Sequence, residues 1–301
     1  MEESIGLLSS SDKASWKDYL ALCKPKVVLL MLLTVFVGAF IASPDWPDLM
    51  RLNIALLGIG ACAASGAAIN HMIDHRLDAK MARTKNRPIP KGVVTPLQGL
   101  VFALILAICG LSLLWYQVNP TTAWLTLFSL IGYAVIYTLF LKRATPQNIT
   151  IGGLAGAMPP LLGWTAMTGQ IEPNALLLVL IIFAWTPPHF WALAIHRKEE
   201  YAQADIPMLP VTHGDHFTRI HIALYSLLLF AATLMPFVSG MCGLLYLAGI
   251  LMINLRQLWM VKQLFDTSQA QAPYQLFKYS IQYLMWVFLL ILIDHSMLSS
   301  I

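Results

Sequence analysis

The sequence predicts an all-α membrane protein, a polytopic helical bundle of about nine transmembrane helices. Of its 301 residues, 58% are hydrophobic and only 11% are charged, whereas soluble domains carry about 25% charged residues. The apolar residues fall into stretches long enough, or nearly so, to cross a hydrocarbon core of about 30 Å. The basic residues concentrate between alternate stretches. These observations exclude a soluble globular domain.

The predicted spans follow one another with short outward loops between them. They are Val27–Ala42, Leu52–Ile73, Leu97–Tyr116, Thr122–Leu141, Ile149–Met167, Ala175–Ile195, Ile220–Val238, Leu244–Val261 and Ile281–Ile293. The first and last are short, and we expect residues 20–23 to extend the first. The second and fifth spans are rich in small residues. Because small residues let membrane helices approach closely, we expect these two spans to lie centrally.

The distribution of basic residues predicts the orientation. With the N-terminus in the cytoplasm and the C-terminus outside, only Arg51 of the 19 basic residues would face outward, in keeping with the positive-inside rule. The N-terminal segment shows no signal-peptide pattern, so we expect the first span to be retained. We interpret residues 1–23 as a polar cytoplasmic segment. Residues 24–301 would form one membrane-embedded domain, with functional cytoplasmic loops at about 74–96 and 196–219.

A stripe of oxygen-bearing side chains stands at the end of the second span. Asn70, Asp74 and Asp78 recur every four residues, so on a helix they would form one stripe roughly 12 Å long. Such side chains bind hard cations, and ionisable groups that continue an apolar span are usually functional. The pattern indicates a diphosphate bound through Mg²⁺; the alternative is a charged helix end that only anchors the helix. Basic residues suited to an anion follow the stripe, among them Arg83, Lys85 and Arg87.

A second cluster of polar residues follows the sixth span. Pro187 and Pro188 cannot continue a regular hydrogen-bonded helix, so we expect a kink or an opening there. Beyond them, His189, His196 and Glu200 lie at i, i+7 and i+11, approximately on one face. This face could meet the aspartate stripe across a cavity. The alternative for His189 is a histidine hydrogen-bonded within the bundle, and for His196 we favour that alternative.

Two basic pairs flank other predicted spans. Lys142 and Arg143 follow the fourth span, and Lys24 and Lys26 enclose a proline before the first. Such pairs ordinarily act as orientation signals at the membrane surface. Each pair could also face a diphosphate, and both interpretations stay open from the pattern alone.

Together these motifs resemble the UbiA superfamily of intramembrane prenyltransferases. The resembling segments lie between residues 24 and 214 and read KPK, NHMIDHRLDAKMARTKNRPIPKG, TPQNITIGG with GAMPPLLGW, and WTPPHFWALAIHRKEEYAQADIPMLPVTHG. The Pro-Pro-His and IPMLPV runs of the last segment are similar to the haem-modifying branch. The resemblance implies a bundle around a central cavity that opens to the cytoplasmic side, in a bacterial-type inner membrane.

The resemblance also implies roles for individual residues. Asn70, Asp74 and Asp78 would bind diphosphate through Mg²⁺, and Glu200 would serve as a further metal ligand where the family commonly has Asp. His189 would contact the porphyrin. Phosphate oxygens would be held by Arg83, Lys85, Arg87, Lys142 and Arg143.

The implied activity is transfer of a farnesyl group from farnesyl diphosphate to a vinyl group of haem b, with addition of water, giving haem O and pyrophosphate. Mg²⁺ would be the cofactor, and a haem A synthase or a terminal oxidase a partner. One alternative is a prenyltransferase acting on an aromatic acid or quinone precursor. Another is a polytopic transporter, which explains the two acid-and-base clusters less well. Nucleic-acid binding is not expected, because the basic residues follow helix ends rather than covering a folded polar surface.

Overall fold

A computed structural model describes residues 14–44, 46–79 and 84–298, and within them every regular element is helical. The first part contains α1 (Trp16–Leu22), α2 (Pro25–Ile41), α3 (Leu49–Asp78), α4 (Pro96–Gln117), α5 (Pro120–Ile131), a π-helix (Gly132–Leu141) and α6 (Lys142–Ala144). Two ten-residue helices follow, α7 (Asn148–Ala157) and α8 (Pro159–Thr168). The rest contains α9 (Pro173–His196), α10 (Lys198–Gln203), α11 (Leu209–Thr212), α12 (Gly214–Val238), α13 (Leu244–Gln263) and α14 (Ala272–Leu298). The predicted all-α class is confirmed.

The chain is a polytopic membrane protein. Among the described residues seven helical segments, counting α5 and the π-helix that continues it as one, are long and apolar enough to cross a membrane. The bent pair α1 and α2 makes an eighth if it is one span. The 54° bend in that pair lies where we expected a simple extension of the first span. The predicted span Ile149–Met167 is instead divided into α7 and α8. The division falls before Pro159 and Pro160, because proline lacks the amide hydrogen that a continuous helix needs.

The long helix α3 carries the predicted stripe to one end of the bundle. Asp48 caps its first turn by accepting hydrogen bonds from the backbone amides of Met50 and Arg51 at 2.9 and 3.1 Å, which satisfies amides that have no partner within the helix. The helix continues past the predicted end of the span at Ile73 as far as Asp78. The stripe is therefore helical, as predicted.

Small residues let the central helices approach closely. A Cβ atom on Gly163 of α8 would overlap the backbone carbonyl of Val35 in α2. A Cβ atom on Gly110 of α4 would lie 2.6 Å from the carbonyl oxygen of Gly58 in α3. Helix α3 contacts α2, α4, α5 and α8 and is more buried than α4 or α5, in agreement with its expected central position.

The helix α9 is the centre of the second half. It contacts α7, α8, α12 and α14. Pro187 and Pro188 lie inside it, yet the helix is continuous from Pro173 to His196, so the expected opening is not found. Thr186, just before the prolines, donates its hydroxyl to the Ile182 carbonyl at 2.8 Å, a contact that tends to bend a helix rather than brace it. Packing on several sides therefore holds the helix together where two amide hydrogens are missing.

The C-terminal end of α9 meets the start of α14. The rings of His196 and Tyr274 stack with their centroids 4.7 Å apart, which agrees with a structural role for this histidine. A buried cluster nearby joins Trp191 of α9, Val261 of α13 and Leu276 of α14. The end of α9, the end of α13 and the start of α14 therefore lie at the same end of the bundle.

The contact between α2 and α8 predicts the effect of a single methyl group. Gly163→Ala should lower the thermal unfolding midpoint in detergent, because the new Cβ would overlap the Val35 carbonyl and overpacking typically costs about 1–3 kcal/mol. Gly156→Ala is the matched control, since a Cβ there would meet nothing within 4 Å among the described residues. Equal midpoints for the two variants would contradict the close approach.

Candidate active site

The three residues of the stripe are buried at the end of α3. The exposed fractions of Asn70, Asp74 and Asp78 are 6%, 2% and 5%. Buried carboxylates need cations or hydrogen-bond donors, since removing a charge from water is costly. The position adds to this need, because the C-terminal end of a helix already carries partial negative charge. The groups that surround the aspartates therefore determine whether this helix end can form.

Asp74 is neutralised by a lysine from another part of the bundle. Lys142 Nζ, at the start of α6, lies 2.6 Å from Asp74 Oδ2. Asn70 donates from Nδ2 to the same oxygen at 2.8 Å and accepts at Oδ1 from Lys24 Nζ at 2.6 Å. Asp74 Oδ1 is buried and accepts no hydrogen bond from a described residue. The resulting chain of contacts links the α1–α2 junction, α3 and α6.

Asp78 is neutralised from the loop that follows α3. Arg87 Nη1 lies 2.6 Å from Asp78 Oδ2. Thr84 donates its hydroxyl to the backbone carbonyl of Asp78 at 2.9 Å, and the Arg87 amide donates to the Thr84 carbonyl at 3.0 Å. This turn folds Arg87 back over the helix end. Lys85, which like Arg87 was predicted to hold phosphate oxygens, is exposed.

Two further residues predicted to bind phosphate cannot be placed. Arg83 lies outside the described residues. The backbone of Arg143 belongs to α6, but its side chain lies outside what the structure describes. Their roles and that of Lys85 stay predictions.

Long-range contacts bring two further residues to Asn70. Lys24 reaches Asn70 from a left-handed backbone conformation, with φ at 48°, at the sharp junction of α1 and α2. Thr138 Oγ1, in the π-helix, lies 3.5 Å from Asn70 Nδ2. The Lys-Pro pair indicated that Lys24 could face a diphosphate, whereas nothing in the sequence near Thr138 signals its contact.

His71, like Thr138, is a residue that the sequence interpretation missed. It precedes Asp74 by three residues and Asp78 by seven, so it lies approximately on their side of α3. It is 3% exposed, and neither ring nitrogen has a hydrogen-bond partner among the described residues. The helical spacing was a usable signal for this residue. Its nitrogens are available for a hydrogen bond to a bound molecule.

Glu200, the acid predicted for the second cluster, lies on α10. Its Oε2 is 3.5 Å from Nη1 of Arg197, and its side chain is 39% exposed. Within the described part of the chain, no group of three or more His, Cys, Asp or Glu residues is placed to hold a metal ion. The structure therefore does not bring Glu200 into one group with Asp74 and Asp78. Its role as a metal ligand stays a prediction.

His189 lies in a buried aromatic cluster between α9 and α14. Its Nδ1 is 2.7 Å from the hydroxyl of Ser280. Its ring stacks with Trp185 and Phe277 at centroid distances of 4.3 and 4.7 Å. These contacts match the alternative of a histidine hydrogen-bonded within the bundle, and contact with a porphyrin stays a prediction.

The end of α3 combines ligands for a divalent cation with groups that bind an anion. Carboxylate and amide oxygens are suitable ligands for Mg²⁺, and the buried Asp74 Oδ1, without a partner among the described residues, is open to a further ligand. Three cations contact the stripe and could exchange to phosphate oxygens: Lys24, Lys142 and Arg87. The donor set fits a divalent cation that joins the aspartates to a diphosphate.

Known sequences are similar to this chain over nearly its whole length. The profile of the UbiA prenyltransferase family matches residues 31–290. The chain is 57% identical over 287 residues to a protein of Hahella chejuensis named protoheme IX farnesyltransferase. This alignment covers 95% of the present chain and 96% of the relative. The chain is 58% identical over 281 residues to a protein of the same name from Marinobacter nauticus, with 93% of each chain covered.

Solved structures share the fold. A structure described as digeranylgeranylglyceryl phosphate synthase matches with a TM-score of 0.79 and 19% identity, covering 93% of this chain and 98% of that one. A UbiA homologue from Archaeoglobus fulgidus bound to GPP and Mg²⁺ matches with a TM-score of 0.61 and 15% identity, covering 91% and 99%. At these identities the similarity establishes a common helical architecture.

The contact between Asp74 and Lys142 predicts a stability effect that depends on both partners. Lys142→Met should lower the thermal unfolding midpoint in detergent, because it leaves Asp74 buried without its cation, and breaking a buried pair costs about 3–5 kcal/mol. The double variant D74N/K142M should recover much of this loss, since position 74 then carries no unpaired buried charge. A double variant as unstable as Lys142→Met would contradict the pairing.

Proposed function

This chain belongs to the UbiA prenyltransferase family, and we propose that it transfers a farnesyl group from farnesyl diphosphate to a vinyl group of haem b. Water is added in the same reaction, and the products are haem O and pyrophosphate. The observation that carries the choice of substrates is the extended similarity to proteins named protoheme IX farnesyltransferase. The acidic and basic groups at the end of α3 support a diphosphate site.

The aspartates of the stripe would hold the metal in this proposal. Asp74 and Asp78 would bind Mg²⁺, with Asn70 beside them and Glu200 as a further ligand. When bound, Mg²⁺ would stabilise the negative charge on the departing diphosphate. The structure of the Archaeoglobus fulgidus homologue with GPP and Mg²⁺ supports divalent-metal use within this fold.

The basic residues around the stripe would hold the phosphate oxygens. In the structure Lys24 contacts Asn70, and Lys142 contacts Asp74. These cations would move to the diphosphate when it enters, so that charged donors remain paired throughout. The same role is proposed for Arg83, Lys85, Arg87 and Arg143.

Bond breaking begins at the allylic carbon of farnesyl diphosphate. Its carbon–oxygen bond breaks, and the electron pair leaves with the diphosphate. Basic side chains favour this step, because charges fixed in a water-poor site stabilise developing negative charge more strongly than bulk water does. A haem vinyl group then supplies the electron pair of the new carbon–carbon bond.

Water completes the reaction at the porphyrin. The carbon left positively charged beside the ring is captured by a water molecule, which then loses a proton. Apolar side chains would keep other water away from the allylic cation until the vinyl group reacts. We assign His189, within its aromatic cluster on α9, as a contact to the porphyrin.

The cellular setting follows from the distribution of basic residues. We propose that the chain lies in a bacterial inner membrane with its N-terminus in the cytoplasm and its C-terminus outside. The diphosphate site would then open to the cytoplasmic side, from which farnesyl diphosphate and Mg²⁺ would enter. A haem A synthase or a terminal oxidase would receive the product.

The proposal predicts a product of defined mass. Purified protein in lipid is incubated with haem b, farnesyl diphosphate and Mg²⁺, and the extracted haems are analysed by mass spectrometry. We expect a haem heavier by one farnesyl group and one water, formed with Mg²⁺ and absent when a chelator is added. In a parallel incubation 4-hydroxybenzoate replaces haem b. Prenylation of 4-hydroxybenzoate, with haem b left unmodified, would contradict haem b as the acceptor. Turnover unaffected by chelator would contradict the role of Mg²⁺.

Each aspartate of the stripe should be needed for turnover. Asp74→Ala and Asp78→Ala should each lower kcat at saturating Mg²⁺ by about 10²–10³-fold, the size of effect seen when one group that stabilises transition-state charge is lost. Asp215→Ala is the control, because this carboxylate forms a partly exposed pair with Lys198 at 2.9 Å. Near-normal activity of either stripe variant would contradict the assignment.

A further inference from the structure

A polar groove lies between α13 and α14, away from the end of α3. Its volume is about 420 Å³. Each helix lines the groove with side chains at positions i, i+3 and i+7, which share one helix face. These residues, which define the α13–α14 groove, are Arg256, Trp259 and Gln263 together with Gln275, Lys278 and Gln282.

The two cations of the groove have no carboxylate partner in the described part of the chain. The ion pairs found there all involve other residues. The Arg256 guanidinium lies 4.8 Å from the ring centroid of Tyr279, and Lys278 Nζ lies 4.8 Å from that of Tyr274. Ring faces attract cations only modestly at exposed sites. They orient both side chains and leave a net positive charge in the groove.

The acid closest to the groove in sequence is already engaged. Asp266, in the loop between α13 and α14, is the sole acidic residue from 256 to 282. Its carboxylate accepts hydrogen bonds from the amide and hydroxyl of Ser268 at 3.1 and 2.7 Å, and from Gln269 Nε2 at 2.9 Å. Among the described residues the groove is therefore lined by cations and amide donors, and Asp266 beside it is paired with neither Arg256 nor Lys278.

The groove opens onto the face of the bundle that meets lipid. Leu255, Trp259 and Ile281 are 62%, 58% and 42% exposed on these membrane-spanning helices. Arg256 precedes the end of α13 at Gln263 by seven residues, which places its Cα about 10 Å inside that end at 1.5 Å per residue. A cation at such a depth is costly unless an anion meets it, although its long side chain can extend toward the membrane surface.

We propose that the α13–α14 groove binds the phosphate headgroup of an anionic membrane phospholipid. Arg256 and Lys278 contact the phosphate oxygens, as basic residues near an anionic leaflet do. The glutamine amides donate to the remaining headgroup oxygens. The acyl chains lie along the exposed leucine and isoleucine side chains, and Trp259 stands at the level of the headgroups, where tryptophan is enriched.

Native mass spectrometry of the full-length protein tests this proposal. Protein stripped of lipid in detergent is titrated with phosphatidylglycerol, and in separate arms with phosphatidylcholine or inorganic phosphate. The variant R256Q/K278Q should bind the first phosphatidylglycerol about thirtyfold more weakly, because replacing a charged donor to the phosphate by a neutral one costs a factor of about five at each position. Lys262→Gln, on the same helix end and outside the groove lining, is the matched control. Lys278→Gln alone should show an intermediate loss.

Three results would overturn the proposal. One is unchanged phosphatidylglycerol binding in both groove variants. Another is a loss of phosphatidylglycerol affinity in Lys262→Gln as large as that in Lys278→Gln, which would indicate a general charge effect. The third is binding of phosphatidylcholine as tight as that of phosphatidylglycerol, or displacement of phosphatidylglycerol by inorganic phosphate at millimolar concentration. Weaker binding in Lys278→Gln and R256Q/K278Q with wild-type binding in Lys262→Gln would support it, whether or not haem is the prenyl acceptor.

Discussion

Two carboxylates buried at the C-terminal end of one membrane helix are the constraint on which this arrangement depends. Burial disfavours the charge of Asp74 and Asp78, and so does the negative end of the helix dipole. Each aspartate is therefore met by a cation from elsewhere in the chain: Lys142 from α6 and Arg87 from the following loop. Electrostatics at one helix end thus joins segments that are distant in sequence.

The same constraint prepares the site for a charged substrate. A metal cation and a diphosphate that enter together change the charge of the site less than either would alone. The aspartates can exchange their contacts with lysine and arginine for contacts with the metal. The basic side chains can then bind the phosphate oxygens. Asn70 already contacts a cation on one side and a carboxylate on the other. The network at the end of α3 therefore contains charged partners that the proposed complex would use, and Glu200 lies outside it.

Local periodicity made much of this predictable. Apolar stretches located the spans, and a four-residue repeat placed Asn70, Asp74 and Asp78 on one side of a helix that the structure confirms. Composition could not show that Lys24 and Thr138 meet Asn70, because those contacts depend on how distant helices pack. The division before Pro159 and the continuous helix through Pro187 show the same limit. A proline removes one backbone hydrogen bond wherever it stands, and the surrounding packing decides whether the helix ends there.

Binding of a non-hydrolysable thio analogue of farnesyl diphosphate tests the central claim most directly, since it separates the diphosphate site from the identity of the acceptor. Calorimetric titration of the purified protein should show binding with Mg²⁺ and little without it. In the variant D74N/D78N the Mg²⁺-dependent part should disappear while the helical content is unchanged. Equal affinity for the analogue in wild type and D74N/D78N, at saturating Mg²⁺, would contradict a diphosphate site at the end of α3.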